Sequence, residues 1–115
     1  MDERMVALIR SLKSASHEHK APIWKDIALR LERPARLHAE VNVSKLERHG
    51  LEHEIIVVPG KLLGAGDLSK KLIVAAYRAS KSAREKIEKA GGRVISMDDL
   101  IAGNPKGSGD YEFLA

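Results

Sequence analysis

Three groups of residues in this chain have the types and spacing to do chemistry. The first is Arg33, Arg36 and His38, gathered around Pro34. A guanidinium fork matches phosphate oxygens bidentately, and an irregular backbone after a helix-ending proline can follow a polymer surface that a straight helix cannot. The plain alternative is an ordinary basic surface loop. A larger cationic block follows. From Gly60 to Arg93 there are nine Lys and Arg residues against three Asp and Glu. From Met1 to His53 the balance is ten against eight, and from Val94 to the end it is one against four. The excess lies in a central segment rather than a tail. A folded element carrying such an excess is the footprint expected of a phosphate-binding surface. The competing reading is a solvated, salt-bridged helix face.

The second group is the histidines. His17-Glu18-His19 alternates, and His49 and His53 stand four apart. Zinc needs three or four converging ligands with fixed supporting partners. The chain has no cysteine and no HExxH pattern, so no metal site is expected. The third group is the glycines of Pro59-Gly60-Lys61-Leu62-Leu63-Gly64-Ala65-Gly66, which follow an apolar run. A phosphate-cradling loop must lead into a helix, whose N-terminal amides and dipole hold the anion. Here Gly66 leads through Asp67-Leu68-Ser69 towards a strand. Glycines that allow close backbone approach are the better account, and a nucleotide site in Gly60–Gly66 is the weaker one. No GxSxG is present, and Asp98-Asp99 reads as first-turn helix charge rather than a catalytic pair. The sequence therefore predicts no enzyme, no catalytic residue and no cofactor.

The elements that must position the cations can be read from periodicity. The chain has 115 residues, 43 % hydrophobic and 31 % charged, with a net charge of +4. That predicts one domain of soluble type. Met5, Leu8, Ile9 and Leu12 make an apolar stripe on a first helix, about Glu3 to Ala15, followed by a connection from Ser14 to Ala21. Pro22 opens a second helix, in which Trp24, Ile27, Ala28 and Leu31 form the stripe, and Pro34 stops it. Val41 and Val43 suggest a short extended piece. Ser44 and Glu47 read as a capping box for a short helix through His49, closed by Gly50.

Ile55-Ile56-Val57-Val58 reads as a strand buried on both faces and ended by Pro59-Gly60. A second strand is expected over Lys70 to Arg78. Ser82 to Glu85 reads as a capping box opening a helix with Ala83, Ile87 and Ala90 inward. Arg93 to Ser96 is a short strand, and Ser96 caps a short helix through Ala102. The run from Gly103 to Gly109 is a turn, and Tyr111 to Leu114 a last edge strand. This order predicts the α/β class: N-terminal helices about 3–33, an α/β core about 41–103, and a terminal turn and edge strand 104–115. The longest apolar runs are too short to cross a bilayer, so no membrane partner is expected. The opening Met1-Asp2-Glu3-Arg4 lacks a secretory pattern, so a cytoplasmic location is expected. Aromatic residues are few, which argues against an RNA reader that stacks bases on exposed rings.

Several of these stretches also resemble a known family. Arg30 to Leu46, RLERPARLHAEVNVSKL, resembles the signature segment of the large-subunit ribosomal protein L-eighteen-e family of archaea and eukaryotes. Val57 to Ser96 is similar to that family and to its bacterial relative L-fifteen. Asn104-Pro105-Lys106-Gly107-Ser108 resembles the family's closing turn. The three stretches occur in the family's order, and the short length resembles the archaeal type. The resemblance implies an irregular β-β-α superhelix within a compact single α/β domain. It implies a structural constituent of the large ribosomal subunit, monomeric within the ribosome, with large-subunit ribosomal RNA and neighbouring ribosomal proteins as partners. Carried onto matching positions, it implies Arg33, Arg36, His38 and Lys45 as RNA-binding residues, with Lys61, Lys81, Arg84 and Lys106 from the later stretches. A non-ribosomal RNA-binding or protein-interaction module is the alternative.

Overall fold

The structure is a computed structural model describing residues 2–50, 55–109 and 111–114. Its elements run α1 (Glu3–His19), α2 (Pro22–Leu31), a 3-10 turn (Ala35–Leu37), β1 (Ala39–Asn42), α3 (Val43–His49), β2 (Ile55–Leu63), β3 (Ile73–Ala79), α4 (Lys81–Lys89), β4 (Arg93–Ile95), α5 (Met97–Gly103) and β5 (Tyr111–Phe113). The predicted α/β class holds, with a sheet whose strands all pair in parallel. The backbone divides into two compact units, Met1–His38 with Met97–Ser108 and Ala39–Ser96 with Gly109–Ala115.

In the helical unit α1 packs against α2 and α5. The predicted stripes are the buried ones: Met5, Leu8, Ile9 and Leu12 on α1, and Trp24, Ile27, Ala28 and Leu31 on α2. Trp24 is fully buried, and its indole N–H donates to the Pro105 carbonyl at 2.8 Å. A buried ring of that size requires such a partner for its one polar atom. The first helix is longer than periodicity predicts. Ala15 continues the stripe, and the helix runs through His19 to Lys20, which adopts a left-handed conformation with φ 53°. The expected connection Ser14 to Ala21 shrinks to two residues because the Lys20 and Ala21 amides both close back on the Ser16 carbonyl.

The other unit is built on the sheet. β2 is central, with β3 on one side along its length. Its other side is shared, β5 pairing at Ile55 to Val57 and β1 at Gly60 to Leu63. β4 lies beyond β3. Val41, Val43, Leu46, Ile56, Val58, Leu62, Leu72, Val74, Ala83 and Ile87 form its buried core, with Leu114 closing one edge. The strand predicted to end at Pro59-Gly60 continues to Leu63. The ladder to β3 slips between Val58 and Lys61, so the missing proline N–H falls at an irregularity rather than in a regular ladder. Gly60 pairs with Ala39, and a Cβ there would collide with the Ala39 backbone.

Three further local expectations are corrected. β3 spans Ile73–Ala79 rather than Lys70 to Arg78. Helix α3 starts two residues early, with Asn42 rather than Ser44 as N-cap and no side-chain cap bond; Glu47 bonds Ser69 instead of completing a capping box. Gly50 closes α3 as expected, in an extended conformation, its amide donating to the Leu46 carbonyl at 2.8 Å. The cap of α4 is Ser80, whose hydroxyl accepts from the Ala83 amide at 3.1 Å, so Ser82 lies inside the helix.

Candidate nucleic-acid interface

Pro34 ends the turn after α2, and the chain then makes the 3-10 turn that carries Arg36. Arg33 and Arg36 are both exposed. His38 is half-buried and turned inward: its Nε2 lies 3.0 Å from the Leu31 carbonyl and 2.8 Å from the Arg33 carbonyl. Two acceptors facing one ring nitrogen require that nitrogen to carry the proton. The histidine thus ties the bend that presents Arg33 to the end of α2.

Lys61 is exposed on β2. The parallel register sets Glu40, Lys61 and Arg78 in one row across β1, β2 and β3, all three exposed. Arg78 also lies over the Tyr77 ring, 5.4 Å from its centroid. Sequence reasoning missed Arg78, because only strand pairing reveals it as the neighbour of Lys61. On α4 the inward residues are Ala83 and Ile87, which leaves Lys81 and Arg84 on the exposed side, three positions apart. Lys81 reaches Glu85 only at 3.9 Å, with its side chain 92 % exposed, a pair of negligible strength. Lys45 lies on α3, half-buried and partnered. Lys106 is exposed in the turn after α5, where the Gly107 amide donates to the Asn104 carbonyl and the Asn104 side-chain amide to the Ser108 carbonyl. The candidates accordingly fall into an Arg33–Arg36–His38 cluster, a Lys61–Arg78 row and a Lys81–Arg84 helix face, with Lys45 and Lys106 on elements of their own.

Lys86 and Lys70, both of the central block, bond within the fold. Lys86 donates to the Gly64 and Gly66 carbonyls at 2.6 and 2.5 Å, and Lys70 to the Gly50 carbonyl at 3.0 Å. The glycine loop therefore turns carbonyl oxygens towards a lysine, and Gly60 itself lies within a strand. Those features are the opposite of a phosphate cradle, which needs convergent N–H groups at a helix start. Other ion pairs are Lys13 with Glu32 at 2.6 Å and Arg30 with Asp26 at 3.0 Å, neither of them a candidate pair. Among the described residues, Arg33, Arg36, Lys61, Arg84 and Lys106 are held by no carboxylate.

One carboxylate is perturbed. The Ser69 hydroxyl and amide both donate to Glu47, and together with nearby Lys70 they hold its carboxyl below the usual glutamate value. His17 and His19 lie in the last turn of α1, and His53 lies outside the described residues. Among the described residues no three His, Asp or Glu side chains converge to hold a metal ion. Among the described residues no helix is long and apolar enough to cross a membrane.

Residues 23–95 match the family described as the ribosomal proteins 50S-L15 and 50S-L18e together with their 60S counterpart. The chain belongs to this family. Similar relatives are named large ribosomal subunit protein eL18. That of Archaeoglobus fulgidus is 49 % identical over 105 residues, covering 91 % of this chain and 90 % of the relative. That of Methanosphaerula palustris is 50 % identical, covering 91 % and 87 %. That of Methanococcus maripaludis is 48 % identical over 101 residues, covering 88 % and 84 %. The ribosomal family match takes in the Arg33–His38 bend, the Lys61 row and the whole of α4, while the Lys106 turn lies beyond it.

Proposed function

We propose that this chain is a structural constituent of the large ribosomal subunit, binding and stabilising large-subunit ribosomal RNA. The observation that carries the reading is the near-50 % identity to archaeal large-subunit proteins over about nine-tenths of the chain. The chemistry agrees with it. Exposed Lys and Arg side chains neutralise phosphates where RNA segments crowd together and release their counterions. Recognition is by backbone shape, because no row of rings is available to stack bases.

Arg33, Arg36, Lys61, Lys81, Arg84 and Lys106 are the residues assigned to phosphate contact, with Lys45 beside them and Arg78 added from the sheet register. His38 contributes by fixing the bend that carries Arg33. The two units act as parts of one ribosomal-protein domain, a reading supported by a family match that runs from one into the other. The protein works as a monomer within the cytoplasmic ribosome, next to other large-subunit proteins, without catalysis or cofactor of its own.

Co-sedimentation tests this reading. The tagged chain, expressed in an archaeal host, is expected to travel with large ribosomal subunits at moderate salt. Recovery only in the free-protein fractions would overturn it.

A further inference from the structure

We infer that Lys86 is a positioning residue for RNA binding rather than a phosphate ligand: it locks loop Gly64–Gly66 into a joint that sets the cations of α3 and α4 relative to each other. The inference rests on the RNA-binding reading above.

The loop leaves β2 and is gripped from two sides. On one side is α4. The Lys86 ammonium reaches the Gly64 and Gly66 carbonyls, and Gly64 lies so close to α4 that a Cβ there would overlap the Ser82 side chain. On the other side is α3. The Ala65 carbonyl accepts from the Ser44 amide at 3.0 Å, and the Ala65 amide donates to the Asn42 Oδ1 at 3.3 Å. Gly66 has φ 101°, a conformation that lets it pass against Ser44, where a Cβ would again collide. A three-residue segment thus meets the starts of two helices through backbone atoms. One of those helices carries Lys45, and the other carries Lys81 and Arg84.

Two of the three ammonium protons of Lys86 point at carbonyl oxygens, so its charge faces the loop and not a solvent-borne anion. Without those bonds the loop carbonyls lose their partner, and the segment between α3 and α4 is held from one side only. Shape recognition of an RNA backbone needs charges at fixed spacing, so loosening the joint weakens binding without removing a phosphate contact.

The salt dependence of binding separates the two roles, because each lost phosphate contact lowers the log–log slope by about 0.7–0.9. Binding to a large-subunit RNA fragment is measured over a salt series for the wild type, Lys86→Met, Asn42→Ala and Arg84→Met. Lys86→Met is expected to weaken binding roughly three- to tenfold with an unchanged slope. Asn42→Ala, which removes a neutral tie of the same loop, is expected to act in the same direction, also with the slope kept. Arg84→Met is expected to weaken binding and lower the slope. Amide exchange at Ala65, read without RNA, is expected to quicken in Lys86→Met while core amides such as Val74 keep their protection; that pattern excludes general unfolding.

A lowered slope for Lys86→Met would make it a phosphate ligand and overturn the inference. Wild-type affinity in both loop variants would overturn it as well. If Lys86→Met fails to fold, Lys86→Gln, which also removes the charge and is read by the same slope, decides between the same outcomes. A wild-type chain that does not bind the fragment would instead refute the RNA-binding reading, and this inference with it.

Discussion

Glu47 shows how the local partner of a charged side chain decides its chemistry. Its carboxylate receives both the hydroxyl and the amide of Ser69, and these bonds favour the charged form. The folded pKa is therefore depressed. The contribution of this tie is present above the unfolded value and is lost as the pH falls through the folded value. Following the Glu47 carboxyl carbon by NMR should show a midpoint below that of an ordinary glutamate, returning upward in Ser69→Ala. Equal midpoints in the two proteins would contradict the assignment. Nothing in residue spacing announces such a pair, because Ser69 stands in a loop on the far side of β2. Lys86 and His38 were illegible for the same reason: their partners are carbonyls, which every residue possesses. Trp24 was legible because its burial follows from a helical stripe that repeats within α2 itself.

At the scale of elements, the close approach of β1 and β2 depends on Gly60. The two strands pair through Ala39 and Gly60, where an added methyl would meet backbone atoms that no rotamer change can move aside. Gly60→Ala should cost about 1–3 kcal/mol in urea unfolding. Gly103→Ala is the control. A Cβ there meets nothing within 4 Å, and a change within ~0.5 kcal/mol is expected. A neutral Gly60→Ala would show that β1 can separate from β2 at no cost. Elements built on a local stripe were readable from sequence, as in α1, α2 and the inward face of α4. Boundaries set by distant partners were not. β2 continues past Pro59-Gly60 because β1 and β3 supply ladders there, and the first turn of α4 is capped by Ser80 although Ser82 to Glu85 has the better capping pattern. In both, tertiary pairing accompanies the departure from the local signal: β2 is held by its ladders, and the Ser80 amide donates to the Leu62 carbonyl at 2.9 Å.

At the scale of the whole molecule, the proposed RNA binding rests on where charge remains available. The central segment holds nine cations against three acids, and within it Lys81 reaches Glu85 only at 3.9 Å. Part of the positive charge is spent on carbonyls, through Lys70 and Lys86, and part stays at the surface in Lys61, Lys81 and Arg84. The family and the fold class were legible in three ordered stretches of sequence. The division of cations between inward clamps and outward contacts was not, since it follows from strand register and loop placement. If four to six phosphates are engaged, the chain should bind a large-subunit RNA fragment with a log–log salt slope of roughly −3 to −5. Titrating that fragment from low to high salt is the most direct test. A slope in this range is the result predicted, and an affinity indifferent to salt would contradict the account.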